Sequence, residues 1–264
     1  MKDILDEIIR EKRAELDVLK RSVSMESVFK EALEITRPVI SLKHALEVSE
    51  YGIIAEFKRK SPSKGWINSN VEPETVTRMY ERGGASAVSV LTDEKFFGGH
   101  IDYIRRVRPI VGIPILRKDF IIDPYQVAEA RIAGADAILL IAAALSVAEC
   151  RALARYAGSL GLEVLLEIHS SSEMEYINED IEMVGVNNRS LGTFITRVET
   201  SMELADVMND VFPKGRIYVS ESGISKPETV MKLRARGYRG FLIGENFMRS
   251  ENPGSALKEF ISEL

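Results

Sequence analysis

The stretch "IIAEFKRKSPSKGW" at positions 53–66 delivers Glu56 and Lys58 to the point where an apolar run gives way to polar residues. Side chains alternate along an extended chain, so residues two apart share a face. A carboxylate beside an ammonium on one face can aim it and tune its basicity, which is what general acid–base chemistry requires. The pattern recurs. Further apolar runs end in Lys118 ("PILRKDF"), Glu167 ("EVLLEIH"), Asn187 ("MVGVNN") and Glu221 ("RIYVSES"), and a last one ends in Gly244 ("GFLIGE"). Taken singly, a charged residue leaving a strand is more often a solvated loop residue than a catalyst. The set is harder to dismiss, because Leu165 shares a face with Glu167 and Val219 with Glu221, an apolar interior leading to a polar mouth. Ammonium and carboxylate groups gathered in a partly dry cavity can serve as acid and base.

The elements that must position these groups form a repeating unit. Strand-length runs lie at 53–57, 87–91, 114–120, 137–141, 163–169, 183–188, 216–222 and 240–245, rich in Val, Ile and Leu. Such runs suit strands of a parallel sheet buried on both faces. Helical stretches separate them. Asp123 before Pro124 suits an N-cap with proline at N1, and Ser146 with Glu149 and Thr200 with Glu203 have capping-box spacing. Gly83, Gly134 and Gly237 each stand seven residues after a valine and shortly before a strand, where a left-handed glycine would stop a helix. "PETVTRMYERG" (73–83) and "PETVMKLRARG" (227–237) are alike in wording. Eight such βα units predict an α/β fold, a single closed (β/α)8 TIM barrel, in which inward residues at the C-terminal strand ends line the site. An open doubly wound sheet is the alternative, but it usually carries a glycine-rich first turn, and the turn after 53–57 is basic.

Residues 1–50 read as an N-terminal helical extension packed on the barrel, since "ILDEIIREKRAELDVLK" has a helical apolar stripe; residues 51–264 read as the catalytic barrel. The 264 residues match the roughly 250 of such barrels. The net charge of −5 gives no reason to expect nucleic-acid or anionic-membrane binding, so an anion must be held locally. Cys150, the single cysteine, lies in a helical pattern and reads as a small buried residue, which leaves no intrachain disulfide. The charged N-terminus has no apolar signal core, and the run "AILLIAAAL" is far below the ~20 residues of a membrane span, so a cytoplasmic location is expected. His44, His100 and His169 are not spaced for a metal, and His169 is expected to face away from Glu167.

Two segments suit an anion. "SESGIS" follows the seventh strand and "GENFMRSENPGS" the eighth, where barrels of this kind frequently hold phosphate on backbone N–H groups. Gly223 and Gly244 would let the backbone approach closely; they would equally serve tight turns.

Together the wording "IIAEFKRKSPSKGWI", "PILRKDFIIDPYQV", "LLEIH", "GVNNR", "VSESGI" and "FLIGENFMRSENP", from about Tyr51 to Pro253, resembles the indole-3-glycerol phosphate synthase family. That resemblance implies ring closure, decarboxylation and dehydration of 1-(2-carboxyphenylamino)-1-deoxyribulose 5-phosphate, a small phosphorylated substrate, with no cofactor and no metal. It implies Lys118 as principal general acid and Glu167 as the base. Lys58 would engage the ring carboxylate or the phosphate and share proton transfer during dehydration, with Glu56 holding it. Asn187, Glu221 and Ser222 would position hydroxyls and amine, Ser61 would contact substrate, and Arg189 would support the carboxylate end. Backbone at Gly223, Gly244 and Glu245 would cradle phosphate. Phe97 and Phe120 serve either as walls for the aromatic ring or as core. The segment from Pro62 to Trp66 reads as a loop that folds over substrate, and Arg59 is expected to point away from Lys58 and pair on the outside. A monomer or weak homo-oligomer is expected.

After "NNR" the chain departs from the family's usual acidic wording, reading "SLGTFITRVET", and Glu245 stands where a small hydroxyl residue also occurs. A backbone contact to phosphate survives that change, whereas a side-chain contact does not. The rivals are a phosphoribosylanthranilate isomerase or a related phosphate-binding biosynthetic barrel, and a non-catalytic phosphoribosyl-ligand-binding barrel. The first lacks its Cys–Asp or Asp–Asp pair here, and the intact Lys118 and Glu167 argue against the second.

Overall fold

The apolar runs become strands because their β-branched residues suit an extended backbone and alternate between two apolar environments. The computed structural model describes residues 4–190, 195–211 and 215–264. Its strands are β1 (Ile53–Phe57), β2 (Lys60–Ser61), β3 (Gly65–Trp66), β4 (Ala87–Leu91), β5 (Ile115–Lys118), β6 (Ala137–Ile141), β7 (Glu163–Ile168), β8 (Met183–Asn187), β9 (Ile217–Glu221) and β10 (Tyr238–Ile243). All but β2 and β3 pair in parallel as a closed barrel, in the order β1-β10-β9-β8-β7-β6-β5-β4, with helices between. This is a TIM barrel. The β2–β3 pair is a short antiparallel hairpin whose turn and second strand occupy the 62–66 segment expected to be a loop, with β2 just before it.

Alternation sorts the core into two layers. Ile54, Leu116, Leu139, Leu165, Met183, Ile217, Val219 and Leu242 fill the barrel interior. Ile53, Ala55, Val88, Val90, Ile138, Leu166 and Val184 face the helices. The inward row of each strand therefore runs from packed aliphatic residues to the polar group at its C-terminal end.

The N-terminal helices α1 (Ile4–Ser22), α2 (Met25–Glu34) and α3 (Leu42–Val48) reach both ends of the barrel. Leu42 and Leu46 of α3 join the interior layer, and Ser41 and Lys43 bond Glu163 at the start of β7. Leu5 and Ile8 of α1 join the same layer from the opposite end. Lys12 of α1 is buried and reaches Asp93 after β4 (3.1 Å) and Asp119 after β5 (3.2 Å).

The remaining helices are α4 (Pro73–Arg82), α5 (Glu94–Phe97), α6 (Asp102–Val107), α7 (Pro124–Ala133), α8 (Val147–Ser159), α9 (Glu199–Val211), α10 (Pro227–Ala235), α11 (Glu245–Met248) and α12 (Pro253–Ser262). Asp123 caps α7, the Ser146–Glu149 capping box is formed, and Cys150 is buried in α8. Two local expectations fail. Gly83 keeps a right-handed φ of −79°, and the left-handed position falls one residue later on Gly84 (φ 97°), because the helix continues through Arg82. Thr200 lies inside the first turn of α9 instead of capping it. Between β7 and β8 the connection is a 3₁₀ helix, Ser171–Tyr176.

Candidate active site

Closure of the barrel brings the five polar strand ends to one cavity of about 400 Å³. Its lining includes Glu56, Lys58, Lys118, Glu167, Asn187 and Glu221, with Ser61, Phe97, Phe120, Arg189, Ser222, Gly223, Gly244 and Glu245. Register explains the convergence: Asn187 pairs with Glu221, so the ends of β8 and β9 lie level, while Glu167 pairs with Gly185, one inward position below Asn187.

Lys118 stands at the centre. Its Nζ lies 2.9 Å from Glu167 Oε2 and 3.3 Å from Glu221 Oε2. Burial pulls this ammonium down, but Glu167, Glu221 and Glu56 outweigh it and hold Lys118 above the usual lysine range. The two carboxylates then divide. Burial pushes Glu167 up, yet Lys118, His169 and the Asn187 amide hold it well below the ordinary range; Asn187 Nδ2 donates to Glu167 Oε1 at 3.0 Å. Burial and the neighbouring Glu167 carry Glu221 well above that range against the pull of Lys118. One proton is thus more stable on Glu221 than on Glu167, which leaves Glu167 the anionic partner of the ammonium.

Lys58 is ion-paired with Glu56, as the spacing required. Ser61 is buried, and its Oγ finds no hydrogen-bond partner among the described residues. Phe97 and Phe120 stack obliquely, with ring centroids 6.0 Å apart. Ser222 has φ 67° and Gly223 φ 77°, two successive left-handed residues; for Ser222 this costs roughly 1–2 kcal/mol and turns the chain sharply over the cavity.

Space inside the barrel is rationed by two glycines. A Cβ on Gly185 would lie 2.2 Å from Glu221 Oε1, and one on Gly244 would lie 2.3 Å from Glu56 Oε2. Gly244 is therefore needed to seat the Glu56 carboxylate, whatever its backbone does for an anion. Gly185 was not singled out from the sequence; a glycine inside an apolar strand is the signal that could have found it.

Other residues depart from expectation. Arg59 is the exception: it pairs outside the cavity, donating to Tyr103 Oη (2.7 Å) and the Ser69 carbonyl (2.6 Å) and stacking on Trp66. Arg189 extends toward Glu245, 3.7 Å away, and its Nε donates to Thr196 Oγ1 at 3.3 Å. Glu245 also pairs with Lys64 of the hairpin and with Arg249 (2.7 Å). His169 does not face away. Its Nε2 lies 3.4 Å from Glu167 Oε1, because residues 167 and 169 are two apart and so share a face. Ile4 and Ile8 of α1 also line the cavity; no local pattern shows where a helix will dock. Of the segment "SLGTFITRVET", residues 191–194 lie outside the described residues. Among the described residues no group of three or more His, Cys, Asp or Glu is placed to hold a metal ion, and no helix is long and apolar enough to cross a membrane.

Comparison with known proteins places this arrangement. A profile described as indole-3-glycerol phosphate synthase matches residues 5–260. The chain is 54% identical over 264 residues to an indole-3-glycerol phosphate synthase of Bacteroides thetaiotaomicron, with both chains fully covered. It is 44% identical over 260 residues to one of Burkholderia vietnamiensis (97% of this chain, 98% of the relative). It is 40% identical over 265 residues to one of Carboxydothermus hydrogenoformans (98% and 99%). Among solved structures, a mutant tryptophan synthase alpha-subunit of Pyrococcus furiosus superimposes with a TM-score of 0.60 at 15% identity, covering 81% of this chain and 97% of that one. KGPDC from Streptococcus mutans does so with 0.61 at 11% identity, covering 80% and 95%. At those identities the likeness is one of fold.

Proposed function

This chain belongs to the indole-3-glycerol phosphate synthase family, carboxy-lyases of tryptophan biosynthesis, and from that premise we propose how its residues divide the reaction. The substrate is 1-(2-carboxyphenylamino)-1-deoxyribulose 5-phosphate. Lys118 hydrogen-bonds the ketone oxygen and protonates it as the ring carbon bearing the carboxylate attacks; carbon dioxide then leaves and the ring regains its aromaticity. In the dehydration that follows, Glu167 removes a proton from the carbon beside the nitrogen while the hydroxyl departs as water. Lys58, aimed by Glu56, donates toward that leaving hydroxyl and neutralises the nearer anionic end of the substrate.

Phe97 and Phe120 flank the aromatic ring, and Ser61 offers its unpartnered hydroxyl. Arg189, only loosely tied to Glu245, receives the ring carboxylate. Asn187, Ser222 and a protonated Glu221 hold the hydroxyls and the amine. Backbone at Gly223, Gly244 and Glu245 takes the phosphate. Glu245 serves here by its backbone alone, since its carboxylate is engaged by Lys64 and Arg249. Folding the acyclic chain over the ring is itself a large contribution, because orientation can be worth roughly 7–11 kcal/mol.

The observation that carries this reading is the 2.9 Å contact of Lys118 with Glu167 at the floor of one cavity that the loops after β9 and β10 also line. A strongly held ammonium is protonated at any physiological pH and stabilises the alkoxide that develops as the ring closes. The test is incubation of the purified chain with the substrate while indole fluorescence is followed. No fluorescent product would refute the assignment, and isomerised phosphoribosyl product from phosphoribosylanthranilate would favour the isomerase reading.

A further inference from the structure

Glu245 opens α11 within the loop proposed above to take the phosphate, and its carboxylate is crowded by cations. Lys64 pairs with Oε1, Arg249 lies 2.7 Å from the same oxygen, and Arg189 lies 3.7 Å from Oε2. All four residues line the cavity of about 400 Å³. The other cations of its lining are engaged elsewhere, Lys58 with Glu56 and Lys118 with Glu167. Three cations therefore face one carboxylate, and two positive charges are left over. The substrate brings two anionic groups, a ring carboxylate and a phosphate.

Lys64 reaches Glu245 from across the mouth. It sits at the turn of the β2–β3 hairpin, whose strands are fixed on the far side: Lys60 Nζ donates to the Lys95 carbonyl (2.8 Å), and Arg59 bonds Tyr103 while stacking on Trp66. The Lys64 side chain is 43% exposed and that of Glu245 19%. A pair so open to water is weak, because solvent screens it and two long side chains must be ordered to make it. Burial pushes the Glu245 carboxyl up, but Lys64, Arg249 and Lys58 outweigh it and hold it below the ordinary carboxylate range, so it competes as an anion at neutral pH. A phosphate on the backbone of Gly244 and Glu245 would approach the same ammonium with nearly twice the charge. Losing Lys64 would not strand Glu245, since Arg249 on the next turn of α11 stays with it.

We propose that the Glu245 carboxylate is a placeholder for the substrate's anions, and that Lys64 is a side-chain ligand of the phosphate, released by Glu245 when substrate enters. The inference rests on the phosphate lying at the loops after β9 and β10. On entry, Arg189 leaves its looser contact for the ring carboxylate, Lys64 turns to the phosphate, and Arg249 remains on Glu245. In the empty site the carboxylate keeps three like charges from repelling one another and holds two of them extended toward the cavity, so little ordering is left to do on binding. An anion of single charge has no advantage over the carboxylate already in place, so the exchange favours a dianion.

The experiment is a double-mutant cycle on the full-length chain, Lys64→Ala, Glu245→Gln and the two together. It reads the inhibition constant of inorganic phosphate against substrate by indole fluorescence at constant ionic strength. Lys64→Ala should weaken phosphate about tenfold and raise KM to a similar extent, the loss falling on KM and not on kcat. Glu245→Gln should act in the opposite direction and tighten phosphate about threefold, the worth of a half-exposed pair. In the Lys64→Ala background the same change should gain less than about 1.5-fold, because no ammonium is left to release. If both single variants weaken phosphate, the pair is a strut for the hairpin and the placeholder is refuted. A larger gain without Lys64 would reduce Glu245 to a general repulsion of anions, and unchanged inhibition in Lys64→Ala would remove Lys64 as a ligand; either overturns the proposal. The loop site is judged separately by Gly244→Val: unchanged phosphate inhibition there refutes the site, whereas inhibition weakened there but untouched in Lys64→Ala refutes only the ligand.

Discussion

Gly185→Ala adds one methyl group to the barrel interior, and the structure says where it goes. The new Cβ lies 2.2 Å from Glu221 Oε1 and 3.4 Å from Leu165 Cδ1, so Leu165 is already in ordinary contact and only the carboxylate can yield. To reach an ordinary contact the Glu221 carboxylate must retreat by roughly 1 Å, and a misplacement of that size in an active site can cost about 10²-fold in rate. Its 3.3 Å contact with Lys118 is the first to go. We therefore expect kcat to fall about 10²-fold, or about 2.7 kcal/mol of transition-state stabilisation. Overpacking of a close-packed interior should also destabilise by about 1–3 kcal/mol, lowering Tm by a few degrees for a domain of this size. The assay is indole fluorescence for turnover, with thermal unfolding and substrate-analogue binding on the same preparation. Substrate affinity should change little, because the added methyl lies below the phosphate loops. A variant with kcat within twofold of wild type would refute the claim that Gly185 exists to seat Glu221. A variant that loses binding and turnover equally would show that the whole cavity had collapsed.

Lys118→Ala should cost about 10²–10⁴-fold in kcat while the substrate analogue still binds; near-wild-type turnover would remove Lys118 as the acid. Gly244→Val directs its Cβ at the Glu56 carboxylate (2.3 Å) as well as toward the phosphate loop, so kcat should fall together with a rise in KM, and a pure KM effect would show that Glu56 is dispensable. Lys12→Met strips the ammonium from two buried carboxylates, Asp93 and Asp119, and should destabilise by about 3–5 kcal/mol in urea unfolding. Burial pushes Asp119 up, but Lys12 and Arg117 hold it down to about 2, below the ordinary aspartate range in an unfolded chain. Its contribution is therefore complete above about pH 4 and is lost as pH falls toward 2, so the acid-unfolding midpoint of Lys12→Met should move to higher pH. An unmoved midpoint would mean that Lys12 does not set the ionisation of Asp119.

Much of the site was legible because strand geometry is local. The two-residue spacing that puts Ile54 in the barrel core puts Glu56 on the same row, and the same holds for Leu116 with Lys118, Leu165 with Glu167 and Val219 with Glu221. An apolar row ending in a charged residue is a one-dimensional pattern, so chain order alone reveals strand, inward face and exit point. The same rule, applied to His169, points toward Glu167, where the structure has it. Helix ends were less legible: Gly83 and Gly84 both permit the left-handed turn, and choosing between them depends on how far α4 winds before β4 draws the chain away.

What the amino-acid order determined by itself was the succession of buried strands and helices, the row on which each polar group lies, and so the ingredients of an acid–base site. Distances across the barrel belong to the tertiary structure. They depend on closure and register, which join residues as far apart in the chain as Lys118 and Glu221, and on the room that Gly185 and Gly244 leave for carboxylates on neighbouring strands. The protonation states follow from those distances and from burial: Glu167 and Glu221 are the same residue type at neighbouring strand ends, and Lys118, His169 and the Asn187 amide send the first down while burial and Glu167 itself send the second up.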